Sequence, residues 1–258
     1  MRAAGSTQMD YNSGAPTAAF NQCSLCGKAY ICHQCSASGY DANFNMHRHR
    51  EVCASGGTMV PIDDFYSPSY RNSVYYQRLK NVALTGDYRR DLLAVAESQI
   101  GYVGGRSADR LDGSGGGKHT EYYWALSWEG NSEGDWCSEF ASWCARQANI
   151  PFDVIHCSPS ANPSSFGGTS YAWSDSVFGG GSYMPQPGDL MFICHTNELP
   201  PPTRSMDHTT IVESVSWDGD RVTVTVIDGN CNNSVRRHDH VYSSSRPMVG
   251  YFVAPDYP

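Results

Sequence analysis

No stretch of the 258-residue chain approaches the roughly 18 consecutive apolar residues that a membrane helix needs. The opening MRAAGSTQMDYNSGAPTAAFNQ also lacks the apolar core of a secretory leader. A cytoplasmic product, a lysin released by other means, and a segment of a longer secreted protein all fit that absence. Basic charge is equally short. The net charge is −8, and pairs such as Arg89-Arg90 and Arg236-Arg237 form no stripe, which excludes a phosphate-tracking nucleic-acid binder. Aliphatic residues are scarce between Cys23 and Cys53, so that span has no means of building a core by burial alone.

What that span has instead is sulfur and imidazole. Five of the ten Cys and three of the nine His fall within it. Cys23 and Cys26 stand two residues apart, the knuckle spacing that lets two thiolates reach one tetrahedral metal, and Cys32 and Cys35 repeat it. His47, His49 and Cys53 close the segment. The set Cys23, Cys26, Cys32, Cys35, His47, His49 and Cys53 reads as a structural zinc module, with disulfides as the alternative. Zinc is favoured because histidines at ligand spacing have no part in a disulfide framework, and because five cysteines cannot all pair. No open-site pattern with a paired Glu base occurs, so a catalytic metal is not expected. The block HRHREVC resembles HxHxxxC repeats that accompany CGK segments in large surface proteins of Gram-positive bacteria, and CGK stands at 26–28.

The expected organisation is a disordered tail over 1–22, the Cys/His-rich head over 23–53, a linker over 54–85 with VYYQRLK as a short helix, and one larger domain over 86–258. In that domain RRDLLAVAESQIGY sets Leu92, Leu93, Val95, Ala96 and Ile100 on one helical face, with Gly101 as the stop. GDWCSEFASWCARQANIP predicts a second helix capped by Asp135, with Cys137, Phe140, Ala141, Cys144 and Ala148 facing inward and Pro151 ending it. DLMFI, TTIVESVSW, VTVTVI and MVGYFVAP read as strands, the middle two joined by a DGD turn. Helices first and strands afterwards predict an α+β fold, with helices packed on an antiparallel sheet.

Cys137 in the first turn of a helix lies where the dipole and free N–H groups favour a thiolate, whereas Cys144, two turns deeper, is a small apolar residue. His208 stands at the start of a strand, and the partner strand ends in Asp228 and Asn230, so hairpin pairing brings a carboxylate or amide toward the imidazole. His195 is a loop-borne rival, while most of His119, His156, His238 and His240 are expected on the surface.

The ordered motifs GDWCSEFASWCARQANIP, QPGDLMFI, DHTTIVESV, VIDGN and MVGYFVAP resemble CHAP domains (cysteine, histidine-dependent amidohydrolases/peptidases) over roughly residues 85 to 255. The resemblance implies a papain-like fold, Cys137 as nucleophile and His208 as base. Asp228 stands where the family often has Glu, and Asn230 matches the family Asn. It further implies peptidoglycan as substrate, amide cleavage by acyl transfer, no cofactor for catalysis, and a wall-associated or extracellular Gram-positive or phage setting. Trp136, Tyr122, Tyr123 and Trp124 are candidates for the groove, with core packing as their alternative role. The head is expected to be structural, or to engage a wall or protein partner.

Overall fold

The computed structural model describes residues 21–22, 29–32, 59–60, 68–104, 122, 135–148, 150, 154–156, 158, 160–195, 206–219, 221–243 and 249–258. Ahead of residue 68, β1 (Asn21–Gln22), β2 (Ala29–Cys32) and β3 (Met59–Val60) pair antiparallel in that order. Cys32 ends β2; the other proposed ligands, Cys23, Cys26, Cys35, His47, His49 and Cys53, lie outside the described residues.

Among the described residues four α-helices and a six-stranded sheet follow. The helices are α1 (Pro68–Arg71), α2 (Val74–Lys80), α3 (Tyr88–Ser98) and α4 (Cys137–Gln147). The strands are β4 (Thr169–Ala172), β5 (Leu190–Ile193), β6 (His208–Asp218), β7 (Arg221–Asp228), β8 (Arg236–Ser243) and β9 (Val249–Ala254), in the antiparallel order β4-β9-β5-β6-β7-β8. Among the described residues no helix is long and apolar enough to cross a membrane.

The sheet is buried on both faces at its centre, which explains why DLMFI is apolar without alternation. Leu190 and Phe192 of β5 join the helices, together with Ile211 and Ile227, whereas Met191 and Ile193 pack with Trp173, Phe178 and Phe252 on the other side. The VYYQRLK helix is α2, and Tyr70, Tyr76 and Leu79 enter the same core as α3 and α4, so the stretch read as a linker is structured from residue 68 onward.

α3 starts where Asp87 accepts hydrogen bonds from the Arg89 and Arg90 N–H groups, and the chain turns away from it through Gly101 at φ +96°. Leu92, Val95 and Ala96 are buried as expected, while Leu93 and Ile100 are only partly covered. The PGD motif tethers this helix to the sheet: buried Asp189 holds the Arg89 guanidinium at 2.7 Å.

Two expectations for α4 need correction. Its cap is Trp136, with no capping side chain, and Asp135 instead accepts from Asn230 Nδ2 at 2.9 Å. Nor does the helix keep a solvent face: every residue from Cys137 to Gln147 is buried, so the inward stripe is only part of an all-round contact surface.

Candidate active site

Cys137 is the first residue of α4 and 3% exposed. The first intrahelical hydrogen bond is Phe140 N–H to Trp136 O, so the N–H groups of residues 137 to 139 find no acceptor within the helix. Those donors and the helix dipole stabilise negative charge at the sulfur and on an oxygen bound beside it.

The imidazole comes from the sheet. β6 begins at His208 and β7 ends at Asp228, and Ile211 faces Ile227 across the pair, so both residues sit at the end of the hairpin remote from Gly219. His208 Nε2 lies 3.2 Å from Asp228 Oδ1. Oδ1 has no aligned hydrogen-bond donor among the described residues. Burial is the largest single influence on His208 and opposes its protonation. Asp228 and the Cys137 thiol together outweigh it and push the imidazole up to about 10. At neutral pH His208 therefore carries its proton against the sulfur. The same contacts work in reverse on Asp228: burial disfavours its charge, but His208, His238 and His240 hold it well below the usual carboxylate range. Cys144, fully buried two turns further on, is pushed well above the ordinary thiol range by desolvation.

Of the other residues singled out by sequence, Asn230 adopts φ 62°, and its side-chain amide turns to Asp135. Trp136 and Tyr122 are fully buried, which corrects their assignment to a groove. They form an aromatic cluster with Tyr102 and Phe140, and Trp136 Nε1 donates to Asn233 Oδ1 at 3.1 Å. Tyr123 and Trp124 lie outside the described residues, as does His119. His156 is partly buried against Gly167. His195 does reach the site: its ring meets His208 edge-on with centroids 5.4 Å apart, and its Nδ1 is 2.7 Å from Asp207 Oδ1.

His238 and His240, expected on the surface, are partly exposed on the sheet edge, and their rings also reach Asp228. Both belong to β8, a strand missed in the sequence because RRHDHVYS carries almost no apolar residue. β8 is the sheet edge, where polar side chains are normal. Asp228 pairs with Arg236, so His238 stands on the diagonal, and its Nε2 meets Asp228 Oδ2. His240 Nε2 is 3.6 Å from the same oxygen. The readable signal was period two: in HDH both imidazoles must share one face of any strand.

A single glycine sets how closely these parts pack. A Cβ on Gly229 would stand 2.4 Å from Phe140 Cβ, so only glycine lets the turn after Asp228 lie against the first turn of α4.

No curated protein sequence matches the chain. One solved structure, described as "The crystal structure of Ly7917", aligns at 19% identity with a TM-score of 0.26, covering 46% of this chain and 53% of that one. The chain thus spans about half the length of that relative, and so distant a likeness carries no argument. The stretch that holds α4, β6 and β7, residues 128–230, matches the family described as CHAP domain.

Proposed function

We propose that the described C-terminal region is a papain-like cysteine hydrolase that cleaves amide bonds of bacterial peptidoglycan, either between sugar and stem peptide or within the peptide bridges. The observation that carries the reading is the meeting of Cys137, the first residue of a buried helix, with His208 at the start of β6, which Asp228 flanks at 3.2 Å. The CHAP match over 128–230 supplies the substrate class.

In this mechanism Cys137 Sγ attacks the carbonyl carbon, and N–H groups at the start of α4 bind the oxyanion. The C–N bond breaks as His208 gives its proton to the departing amine. The thioester left on Cys137 is attacked by water, whose proton returns to His208, and the acid product departs as the thiolate–imidazolium pair re-forms. Asp228 orients the ring throughout and offsets its charge.

The test is to incubate purified protein with isolated peptidoglycan and identify the new chain ends by mass spectrometry. New amine and carboxyl ends that vanish with Cys137→Ala support the reading. Intact wall alongside cleavage of protein substrates favours a cysteine protease, a reading the charge of −8 supports, since wall polymers are anionic. No turnover of either substrate leaves a binding domain. Action on wall places the protein outside the cell or at its wall.

For the head, the proposal rests on spacing: a structural zinc held by donors from Cys23 to Cys53. Zinc content of the full chain should fall when Cys23 and Cys26 are both replaced by Ser.

A further inference from the structure

The triad accounts for one side of Asp228; the other side is crowded by groups that acyl transfer does not use. Asp228, Cys231 and His238 each offer a ligand atom, and the three atoms lie within 4.8 Å of one another. His240 brings a fourth, with its Nε2 3.6 Å from Asp228 Oδ2 and no hydrogen-bond partner. The two rings stand 4.5 Å apart, so both nitrogens reach the same oxygen. Cys231 is a free thiol, half-covered, in a turn fixed by reciprocal backbone hydrogen bonds with Ser234 at 2.9 and 3.2 Å. Left-handed Asn230, Asn232 and Asn233 shape that turn.

Two further imidazoles meet Asp228 Oδ2 and a thiol stands within 4.8 Å, while Oδ1 has no aligned hydrogen-bond donor. One sulfur, two nitrogens and one oxygen are the donors of a tetrahedral zinc site, where neighbouring ligand atoms lie about 3.3–3.8 Å apart.

We propose that Asp228, Cys231, His238 and His240 form a binding site for a zinc-class divalent cation beside His208. Asp228 is shared between the two: its Oδ2 faces His238 and His240, and its Oδ1 lies 3.2 Å from His208 Nε2.

The test uses the full chain and does not depend on hydrolysis. Iodoacetamide alkylation of Cys231 is followed by peptide mass spectrometry with and without zinc chloride, which separates this thiol from those of the head. Zinc at ten times its Kd should slow Cys231 labelling roughly tenfold, and His238→Ala should abolish the protection. Equal labelling with and without zinc, or protection that survives His238→Ala, overturns the site. Cobalt substitution is the second measurement. The thiolate-to-cobalt absorption of the wild type should exceed that of Cys231→Ser, and identical spectra also overturn it.

Discussion

Ser138 Oγ and Thr209 Oγ1 lie 3.0 Å apart, both buried, the first one residue beyond Cys137 and the second one residue beyond His208. That bond ties the mouth of α4 to the start of β6, so the distance between Cys137 and His208 is set by neighbours that take no part in the chemistry. Removing one hydroxyl strands the other in a dry site at a cost of about 1–3 kcal/mol, whereas removing both is milder. Ser138→Ala and Thr209→Val should each lower stability in urea titrations. The double variant should lose less than the sum, and all three should lose kcat by more than their stability change explains. Additive losses in the cycle would mean that the two hydroxyls do not act as a clamp.

The pH dependence follows from the His208–Asp228 pair. The imidazole is raised from its ordinary value near 6.5 to about 10. Its contribution to stability is therefore complete below about 6.5 and is lost as pH rises through about 10. Hydrolysis, measured in chelator, should fall on the alkaline side near pH 10 as the leaving amine loses its acid. Asp228→Asn should move that limb to lower pH and reduce kcat by roughly 100-fold or more. An alkaline limb that does not move in Asp228→Asn would exclude the carboxylate as the source of the shift.

How much of this was legible depended on whether a residue's role is local. The hairpin of β6 and β7 showed in its β-branched runs and DGD turn, and with it the nearness of His208 and Asp228, because pairing fixes register. The start of α4 was legible only approximately. Asp135 has the chemistry of a cap, yet Asn230, 95 residues away in sequence, holds it instead, and no local pattern encodes that competition. The fate of Trp136 and Tyr122 was equally hidden, since an aromatic side chain looks the same in a groove and in a core. β8 escapes a hydrophobic-period reading because it is the edge strand and mainly Tyr242 of it enters the core.

The turn after β7 offers a steric test. Gly229→Ala places a methyl group 2.4 Å from Phe140 Cβ, an atom of the helix stem that no rotamer change removes. The turn must lift away from α4 and carry Asp228 with it. Overpacking of this kind costs about 1–3 kcal/mol, so the melting temperature should fall by several degrees while kcat falls at least tenfold at temperatures where the variant is folded. Unchanged kcat in the folded variant would show that Asp228 tolerates displacement.

The decisive contrast is between the two thiols of α4, which share one helix but not one environment. Cys137 has the helix mouth and His208 beside it, whereas Cys144 is wholly buried, with desolvation opposing its thiolate. Cys137→Ala should reduce hydrolysis at least about 1,000-fold, because no other nucleophile can form the thioester, and should change stability little. Cys144→Ala opens a small cavity among buried neighbours and should cost about 1–2 kcal/mol while turnover of the folded enzyme persists. Burst kinetics with an activated ester would add a chemical signature, a thioester on the tryptic peptide carrying Cys137. Equal loss of turnover in both variants, at matched fractions folded, would mean that position along the helix does not select the nucleophile, and the acyl-transfer mechanism would have to be rebuilt around another residue.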